Sequence, residues 1–368
     1  RAGRARTAAE PGLGGMNAPL RHADTVKQVD FDDPRDIARV EAFVEELDGS
    51  VFHRPLWLQA IARGTGNDAL GLVLERGTSL CGWLPLTGVH SPLFGRALVS
   101  SGFGVGGGAL AADARDGERL CRAAEELAQR LSIPDIELRG GAAPPDWNVV
   151  TGKHANFAGP LAEDDEAQLL AIPRKARAEV RKGLKNDLAI TVGETERDRV
   201  AHYAVYAESV RNLGTPVFPR SLFDAVLDMF GEAADILTVW EGDRPVSSVL
   251  SLYHAGAVMP FWGGGTWGAR ALRANERMYY ELMGHARRKG CTRFDFGRSK
   301  TGSGPFAFKK NWGFEPEPLT YYTWSAEAGR GRNIDPTDDS YSAKIALWKR
   351  LPLPVANRLG PWIARGLG

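Results

Sequence analysis

The sequence predicts an α+β protein in which one unit, a mixed and mainly antiparallel sheet flanked by helices, occurs twice. Its length of 368 residues suggests two domains, at roughly 150 residues per domain. The run VFHRPLW at 51–57 returns as VFPRSLF at 217–223, so that Val, Phe, Arg and Leu repeat 166 residues apart. Self-similarity at one fixed spacing indicates a duplicated structural unit.

The same succession of elements follows in each half. Apolar runs around a glycine-containing turn, at 68–86 and 235–252, each predict a β-hairpin. A glycine cluster, a helix and a buried strand come next, at 102–108, 124–131 and 134–141 in the first half and at 261–265, 278–290 and 292–299 in the second. A polar linker places the boundary between the units near 160, and duplicated units of this kind commonly hold a ligand at their interface.

Composition and charge exclude several classes of protein. Hydrophobic residues make up 43% and charged residues 25%, the balance of a globular protein rather than of a disordered, collagen-like or membrane-embedded one. The net charge of +1 gives no global attraction to nucleic acid, so DNA is not expected as a partner. Three separated cysteines and the absence of HxxxH spacing predict no disulfide and no metal site, which fits a cytoplasmic protein.

The two ends of the chain differ from its middle. Residues 1–28 contain the first methionine, Met16, and are predicted to be a disordered tail or sequence translated upstream of the true start. At the other end, 329–368 is a basic segment in which 341–368 interleaves five Lys or Arg with apolar residues and contains no acid. That pattern is typical of a helix at the inner face of an anionic membrane or docked on a partner, although its prolines interrupt it. Packing of the segment on its own domain is the alternative.

A donor-binding loop is predicted in the second half. A strand that bends at a glycine run and then enters a helix presents free backbone N–H groups, which suit a phosphate or carboxylate. The residues assigned to this loop are Gly263, Gly264, Gly265, Arg270, Arg273 and Asn275, the last as N-cap of the helix. Alternatively, the glycines only form a tight bend and the arginines are solvated.

The densest polar group of residues is FDFGRSKTGSGPFAFKKNWGF at 294–314. Strand alternation puts Phe294 and Phe296 on one face and Asp295 on the other, at the end of a central strand. Surrounded by cations in the sequence, Asp295 is expected to stay ionised and to orient an amine or take its proton, with Lys309 stabilising an oxyanion. A structural ion pair at the strand end is the alternative.

The run RANERMYYELMGHARRKGCTRFDFGRS…FAFKKNWGF resembles the second domain of the FemAB family, and the C-terminal segment is similar to that of FemAB-related proteins of exosortase/PEP-CTERM exopolysaccharide systems. The resemblance implies two tandem GNAT-like (acyl-CoA N-acyltransferase-like) domains, at 29–160 and 161–328. It implies transfer of an acyl or aminoacyl group to an amine, with Phe308 and Lys309 lining the site. Arg298, in the polar run after Asp295, is assigned to donor binding.

Two donors are possible, acyl-CoA and aminoacyl-tRNA, because the loop TWGARALRAN lacks the usual acetyl-CoA signature. The resemblance implies no bound cofactor, and a small-molecule, glycan or peptide precursor as acceptor.

Further residues are assigned to acceptor or phosphate binding. Arg177, Arg181 and Lys185 share one face of a predicted basic helix at 173–186, which could hold phosphates or be solvated. Trp57 and Arg220, from the repeated motif, could line an acceptor groove. The alternative to an acyltransferase is a non-catalytic module that binds a glycan or a membrane partner.

Overall fold

The computed structural model describes residues 24–327 and 339–368, which form two eight-stranded sheets. The strands of the first sheet are β1 (Asp24–Gln28), β2 (Asp68–Arg76), β3 (Ser79–Ser91), β4 (Gly95–Ser100), β5 (Leu110–Ala111), β6 (Asp135–Arg139), β7 (Asn148–Val150) and β16 (Tyr321–Ser325). Those of the second are β8 (His154–Pro160), β9 (Ala189–Gly193), β10 (Ala234–Glu241), β11 (Arg244–His254), β12 (Ala257–Gly265), β13 (Arg293–Asp295), β14 (Ser299–Lys300) and β15 (Pro316–Pro318).

Both sheets are mixed, with one parallel ladder each, β4–β6 and β12–β13, and antiparallel ladders elsewhere. Helices flank them: α1 (Pro34–Glu46), α2 (Pro55–Thr65), α3 (Ala114–Arg130), α4 (Asp165–Ala171), α5 (Arg174–Lys185), α6 (Glu196–Leu213), α7 (Arg220–Phe230), α8 (Ala269–Leu272), α9 (Ala274–Arg288), α10 (Gly304–Asn311), α11 (Asp339–Arg350) and α12 (Leu353–Ala364). The predicted α+β class with two sheet-and-helix units is confirmed.

The duplication is visible in irregularities that both halves share. The predicted hairpins form as β2–β3 and β10–β11, and each turn contains a glycine with positive φ, Gly77 or Gly242. In each hairpin the register shifts by one residue, which leaves Cys81 unpaired in β3 and Val246 unpaired in β11. Bulges are specific features of a strand rather than defects, so their recurrence at equivalent positions supports one unit used twice.

The two units exchange a strand. In the first sheet β6 pairs with β16, a strand from the C-terminal half of the chain. In the second sheet β13 pairs with β8, a strand that precedes the helices of the second unit. Strands β6 and β13, which make the parallel ladders, thus each have an antiparallel neighbour on their other side. The predicted boundary at 160 is therefore wrong for 154–160, which belong to the second sheet, and for 321–325, which return to the first. The predicted N-terminal tail also ends earlier, because residues 24–28 pair with β2; residues 1–23 lie outside the described residues.

A hydrophobic core joins the units where the repeated motifs meet. Trp57 in α2 is 0% exposed and stacks on Trp262 of β12 with ring centroids 5.9 Å apart. Helices α2 and α7 touch backbone to backbone, since a Cβ on Gly64 would lie 2.5 Å from Leu222 Cα. The Ser221 hydroxyl donates a 2.6 Å hydrogen bond to the Gly64 carbonyl across this contact. The two copies of the repeated motif, with the helices α2 and α7 that follow them, thus form the interface between the two units.

The C-terminal helices pack on the rest of the protein along one side. Ala356, Gly360 and Ala364 of α12 are buried, and a Cβ on Gly360 would lie 2.9 Å from Val217. The segment is divided into α11 and α12 at 351–352, just where Pro352 forms the N-cap of α12 and Pro354 stands in its first turn, at which a missing N–H costs little. Pro361 lies inside α12, which continues to Ala364. None of the described helices is long and apolar enough to cross a membrane.

The α2–α7 contact generates a prediction about stability. Gly64→Ala places a methyl group against backbone that cannot yield, so the midpoint of thermal unfolding should fall by an amount equivalent to about 1–3 kcal/mol. This should occur although alanine favours a helix by about 1 kcal/mol over glycine. Gly304→Ala in α10 is the control, since nothing lies within 4 Å of that position. An unchanged midpoint in Gly64→Ala would contradict the close helix contact.

Candidate active site

The site lies where β12 and β13 separate. The two strands pair in parallel only at Ala257–Arg293 and Val258–Phe294, after which β12 continues to Gly265 while β13 ends at Asp295. Phe261 is the extra residue of a bulge in β12 opposite β11. A bulge and a diverging pair re-aim side chains at the ends of the strands, which places Asp295 at the mouth of the separation.

Asp295 is half-buried above an aromatic cluster. Phe294 and Phe296 point into the core at 0% and 3% exposure, as the alternation predicts. The Asp295 Oδ1 accepts hydrogen bonds from Asn156 Nδ2 at 3.1 Å and from the Gly297 N–H at 2.9 Å. Burial raises the pKa of this carboxyl, against the opposing effect of these hydrogen bonds and of Arg293 and Lys309.

The expectation that nearby cations keep Asp295 ionised overlooks this burial. Cations that are adjacent in sequence are not all close in space, so desolvation exceeds their effect on the carboxyl.

Lys309 is buried beneath the loop that follows Asp295. It is 8% exposed, and its Nζ donates to the carbonyls of Gly297 at 2.9 Å and Arg298 at 3.1 Å. The ammonium also lies 5.5 Å from the ring centroid of Phe157 and 5.6 Å from that of Phe296. Burial lowers the pKa of Lys309 to about 7, with Arg298 acting in the same direction and Asp295 opposing it. Lys309 therefore fixes the loop as well as supplying charge.

Arg298 connects this site to the first sheet. Its Nη1 donates to the Tyr321 hydroxyl at 2.8 Å, and that hydroxyl donates to the Val105 carbonyl at 3.0 Å. The His154 ring stacks on Tyr321 at 5.7 Å, and burial, with Arg298 and Lys300, lowers the pKa of His154 to about 4. Asn156, His154 and Tyr321 are not predicted from the sequence, because they reach Asp295 and Arg298 only through the exchanged strands β8 and β16.

The predicted donor glycines serve close packing. A Cβ on Gly263 would lie 2.8 Å from Val249 Cγ2, one on Gly264 2.2 Å from Ser209 Oγ, and one on Gly265 2.5 Å from Asn275 Oδ1. On the sides that a Cβ would occupy, protein atoms already fill the space. A ligand at these glycines would have to approach the backbone from another direction.

Asn275 is not the N-cap of α9, which begins at Ala274 after Arg273. The Asn275 side chain turns inward, where its Oδ1 lies 2.6 Å from Ser247 Oγ. Assignment of a helix end from sequence is uncertain by one or two residues, and here that shift decides the role of the side chain.

Two predicted donor arginines have different surroundings. Arg273 adopts a left-handed backbone with φ of 55°, and its Nε lies 2.5 Å from Glu179 Oε2. Its guanidinium is thereby paired with a carboxylate of α5 and is not free for a donor phosphate. Arg270 is exposed on α8. Phe308 packs against Tyr279 and Trp312, at 5.7 and 5.6 Å between ring centroids.

The basic helix predicted at 173–186 forms as α5. Arg177 donates to the Leu170 carbonyl at 3.0 Å, whereas Arg181 and Lys185 are exposed. A Cβ on Gly183 would lie 2.8 Å from the Arg273 carbonyl oxygen, and Asn186 Nδ2 donates to the Leu272 carbonyl at 2.7 Å. The end of α5 is thus adjacent to the short helix that carries Arg270.

Trp57 and Arg220 do not line a groove. Trp57 is inaccessible in the core between the units, where its Nε1 donates to the Gly102 carbonyl at 3.1 Å. The Arg220 guanidinium pairs with Glu196 at 2.5 Å and Asp224 at 3.4 Å, so two carboxylates already neutralise it. The repeated motif maintains the interface, and its assignment to an acceptor site is corrected.

The first unit has an equivalent parallel strand pair, β4–β6, but its pairing continues one step further, to Val99–Glu137, and the space beyond it is filled. The parallel register aligns Asp135 of β6 with Ala97, as Arg293 of β13 aligns with Ala257, so Glu137 is the counterpart of Asp295. Arg139 is 5% exposed and donates to the Gly104 carbonyl at 2.8 Å. A Cβ on Gly108 would lie 1.8 Å from the Gly140 oxygen. The glycine cluster at 102–108 therefore occupies the space that is equivalent to the second unit's site.

Other features of the described residues offer no competing site. No group of three or more His, Cys, Asp or Glu side chains in 24–327 and 339–368 is arranged to hold a metal ion. Two shallow surface depressions lie elsewhere, one beside Arg119 and Pro144 and one beside Arg197 and Trp240, and neither includes Asp295 or Lys309.

Comparison with known proteins agrees with this architecture. A family model described as an acetyltransferase (GNAT) domain matches residues 173–310, which include Asp295 and Lys309. No curated protein sequence matches the chain.

Solved structures share the fold across both units. FemX is 15% identical with a TM-score of 0.59, covering 80% of this chain and 96% of its own. A tandem GNAT protein from the clavulanic acid biosynthesis pathway is 12% identical with a TM-score of 0.55, covering 84% and 100%. The structure of L-PGS from Bacillus licheniformis is 12% identical with a TM-score of 0.51, covering 92% and 98%. At these identities the likeness shows the fold.

The pKa of Lys309 generates a prediction about pH. From about pH 7 to about pH 10 the unfolded chain holds a proton on Lys309 that the folded protein has released, so folding is favoured as the pH rises through this window. Lys309→Met lacks this contribution. The stability of the wild type relative to Lys309→Met should therefore increase from pH 6.5 to about pH 9.5, as measured by denaturant unfolding.

The exposed neighbour Lys310 supplies the matched variant. Lys310→Met should retain the pH profile of the wild type. Parallel profiles for the wild type and Lys309→Met would show that Lys309 keeps its ordinary protonation in the folded protein.

Proposed function

We propose that the chain is an acyltransferase of tandem GNAT, FemAB-like architecture, whose second unit transfers an acyl or aminoacyl group directly to an amine at Asp295 and Lys309. The observation that carries this proposal is the pair of buried ionisable groups at the end of β13, where β12 and β13 diverge. A carboxyl whose pKa is raised by burial, close to an ammonium whose pKa is lowered by burial, is a combination that is found at catalytic sites.

Asp295 is the proposed proton acceptor. An amine must lose a proton when it attacks the acyl carbonyl, and a carboxylate whose pKa is raised by burial accepts a proton more readily than an exposed one. Asn156 and the Gly297 N–H hold Oδ1, which orients Oδ2 for the incoming amine. The proton then passes to the departing thiolate or alkoxide of the donor, so no covalent enzyme intermediate is required.

Lys309 has two proposed roles. Two of its three N–H bonds hold the carbonyls of Gly297 and Arg298, which fixes the loop that carries the Asp295 hydrogen bond. When Lys309 is protonated, which its pKa of about 7 allows near neutral pH, the third N–H is left for the oxyanion that develops on the acyl carbonyl. A preorganised donor in a site that excludes water stabilises such a charge far more than one in solution.

The proposed donor is acyl-CoA or aminoacyl-tRNA, which both present phosphates. Arg181, Lys185 and Arg270 are exposed on α5 and α8, two helices that contact each other through Asn186 and Leu272. Together they form a basic surface near the start of α9, where phosphate groups of either donor would be attracted. Phe308 and Arg298 are the proposed donor contacts nearer the reacting carbonyl.

The proposed acceptor is an amine of a cell-envelope or exopolysaccharide precursor made in the cytoplasm. The C-terminal domain of a putative lysylphosphatidylglycerol synthetase from Agrobacterium fabrum shares the fold of this chain, and its name states a phospholipid that carries a lysyl group as the product. The likeness of the C-terminal segment to proteins of exosortase/PEP-CTERM systems favours the exopolysaccharide precursor.

A comparison of the two units tests the catalytic assignment. Asp295→Asn removes the proton acceptor and should lower the rate of transfer by about 10²-fold or more. The matched variant is Glu137→Gln, which makes the same chemical change at the equivalent position of the first unit. It should leave the rate within about threefold. The assay follows acyl transfer to amines from acetyl-CoA, longer acyl-CoAs and aminoacyl-tRNA.

The folded state of both variants is checked by circular dichroism. Equal rates for Asp295→Asn and the wild type, with any donor that supports transfer, would contradict the assignment. A loss in Glu137→Gln as large as that in Asp295→Asn would place the chemistry between the units rather than in the second one.

A further inference from the structure

The last helix carries an exposed apolar stripe. Val355, Leu359 and Trp362 of α12 are 42%, 45% and 48% exposed. At 3.6 residues per turn they fall within an arc of about 60° on one side of the helix. We call this surface, with Arg358 and Arg365 beside it, the α12 face. Both arginines are exposed and lie along the same edge of the stripe.

The helix is fixed so that this face points outward. Its opposite side holds Ala356, Gly360 and Ala364 against the protein. The backbone is tied as well, since Asn67 Nδ2 donates to the Arg365 carbonyl at 2.9 Å. Exposure of the stripe is therefore a consequence of how α12 is docked rather than of a loose terminus.

Exposed apolar residues also lie on α11 and at the end of α6, and α6 contacts both α11 and α12. Leu347 of α11 is 65% exposed, and Leu213 at the end of α6 is 60% exposed. The two helices are in contact beside them, since a Cβ on Gly214 would lie 2.5 Å from Ile345 Cγ2. Exposed apolar residues grouped in this way mark an interaction surface, whereas single ones do not.

The charges of the C-terminal segment from Tyr341 onward have one sign. From Tyr341 to Gly368 the chain has five basic residues and no Asp or Glu. A protein partner would commonly be met by charges of both signs, whereas an anionic bilayer presents a continuous negative surface above an apolar layer. An apolar stripe edged by arginines is complementary to both layers at once.

We propose that the α12 face docks on an anionic lipid bilayer, with Val355, Leu359 and Trp362 entering the headgroup–acyl boundary and Arg358 and Arg365 meeting lipid phosphates. The helix of twelve residues lies in the plane of the surface and does not cross it. This docking is independent of the transfer reaction, since none of these residues belongs to the site at Asp295.

The test is flotation of the full chain with lipid vesicles. The protein should float with vesicles of phosphatidylcholine and phosphatidylglycerol, and binding should fall sharply with pure phosphatidylcholine or added salt. Leu359→Glu/Trp362→Glu should weaken binding at least tenfold, because two apolar side chains can no longer enter the boundary. Arg358→Gln/Arg365→Gln should weaken it by about 25-fold, at about fivefold per charge.

The matched control makes the same chemical change on another surface. Leu170 and Trp267 are 55% and 84% exposed outside the α12 face, so Leu170→Glu/Trp267→Glu adds identical charges elsewhere. It should retain at least half of the vesicle binding, and circular dichroism should show that both double variants are folded.

Several results would overturn the proposal. One is absence of flotation with anionic vesicles, including the case in which the face instead captures a protein. Another is equal loss of binding in the two glutamate variants. A third is binding that needs the arginines but not Leu359 and Trp362, which would be attraction to any polyanion, tRNA included.

Discussion

The contact between α2 and α7 is the constraint on which the rest of the structure depends. The two helices begin at the repeated motif, and they approach so closely that Gly64 has no room for a side chain. Around them Trp57, Trp262 and Phe223 form one core from both units, with Trp262 5.0 Å from the Phe223 ring centroid. Burial of large aromatic side chains supplies most of the energy of such an interface. The two units are therefore fixed relative to each other. The hydrogen bond from Arg298 of the second unit to Tyr321 in the first sheet depends on this fixed arrangement.

Strand exchange then makes one site out of two similar units. Because β8 enters the second sheet, Asn156 reaches Asp295, and because β16 returns to the first, Tyr321 reaches Arg298. The first unit retains Glu137 at the position of Asp295 but closes its own strand separation with Arg139 and the glycine cluster. Duplication has thus supplied a structural unit in one half and the proposed transfer site in the other. Neither half carries its complete sheet alone.

Local periodicity made part of this predictable from sequence. The hairpins, helix α5 and the alternation of Phe294, Asp295 and Phe296 follow from patterns within one element. Asn156 and Tyr321 could not be found, because strand pairing across more than a hundred residues leaves no local pattern. Trp57 was assigned to a groove because an aromatic residue near an arginine gives the same sequence pattern in a core as in a binding site. The pKa of Asp295 depends mainly on burial of the carboxyl group. The number of Lys and Arg residues near Asp295 in the sequence gives no information about that burial.

The central claim is that the protein has one transfer site, where β12 and β13 separate in the second unit. Hydrogen–deuterium exchange of the full chain, with and without acetyl-CoA, a longer acyl-CoA or aminoacyl-tRNA, tests it most directly. The donor that binds should protect backbone amides in 263–275 and 295–312 and leave those in 102–108 and 137–141 unchanged. Protection of the first unit's glycine cluster, or no protection in the second unit with any of these donors, would contradict it.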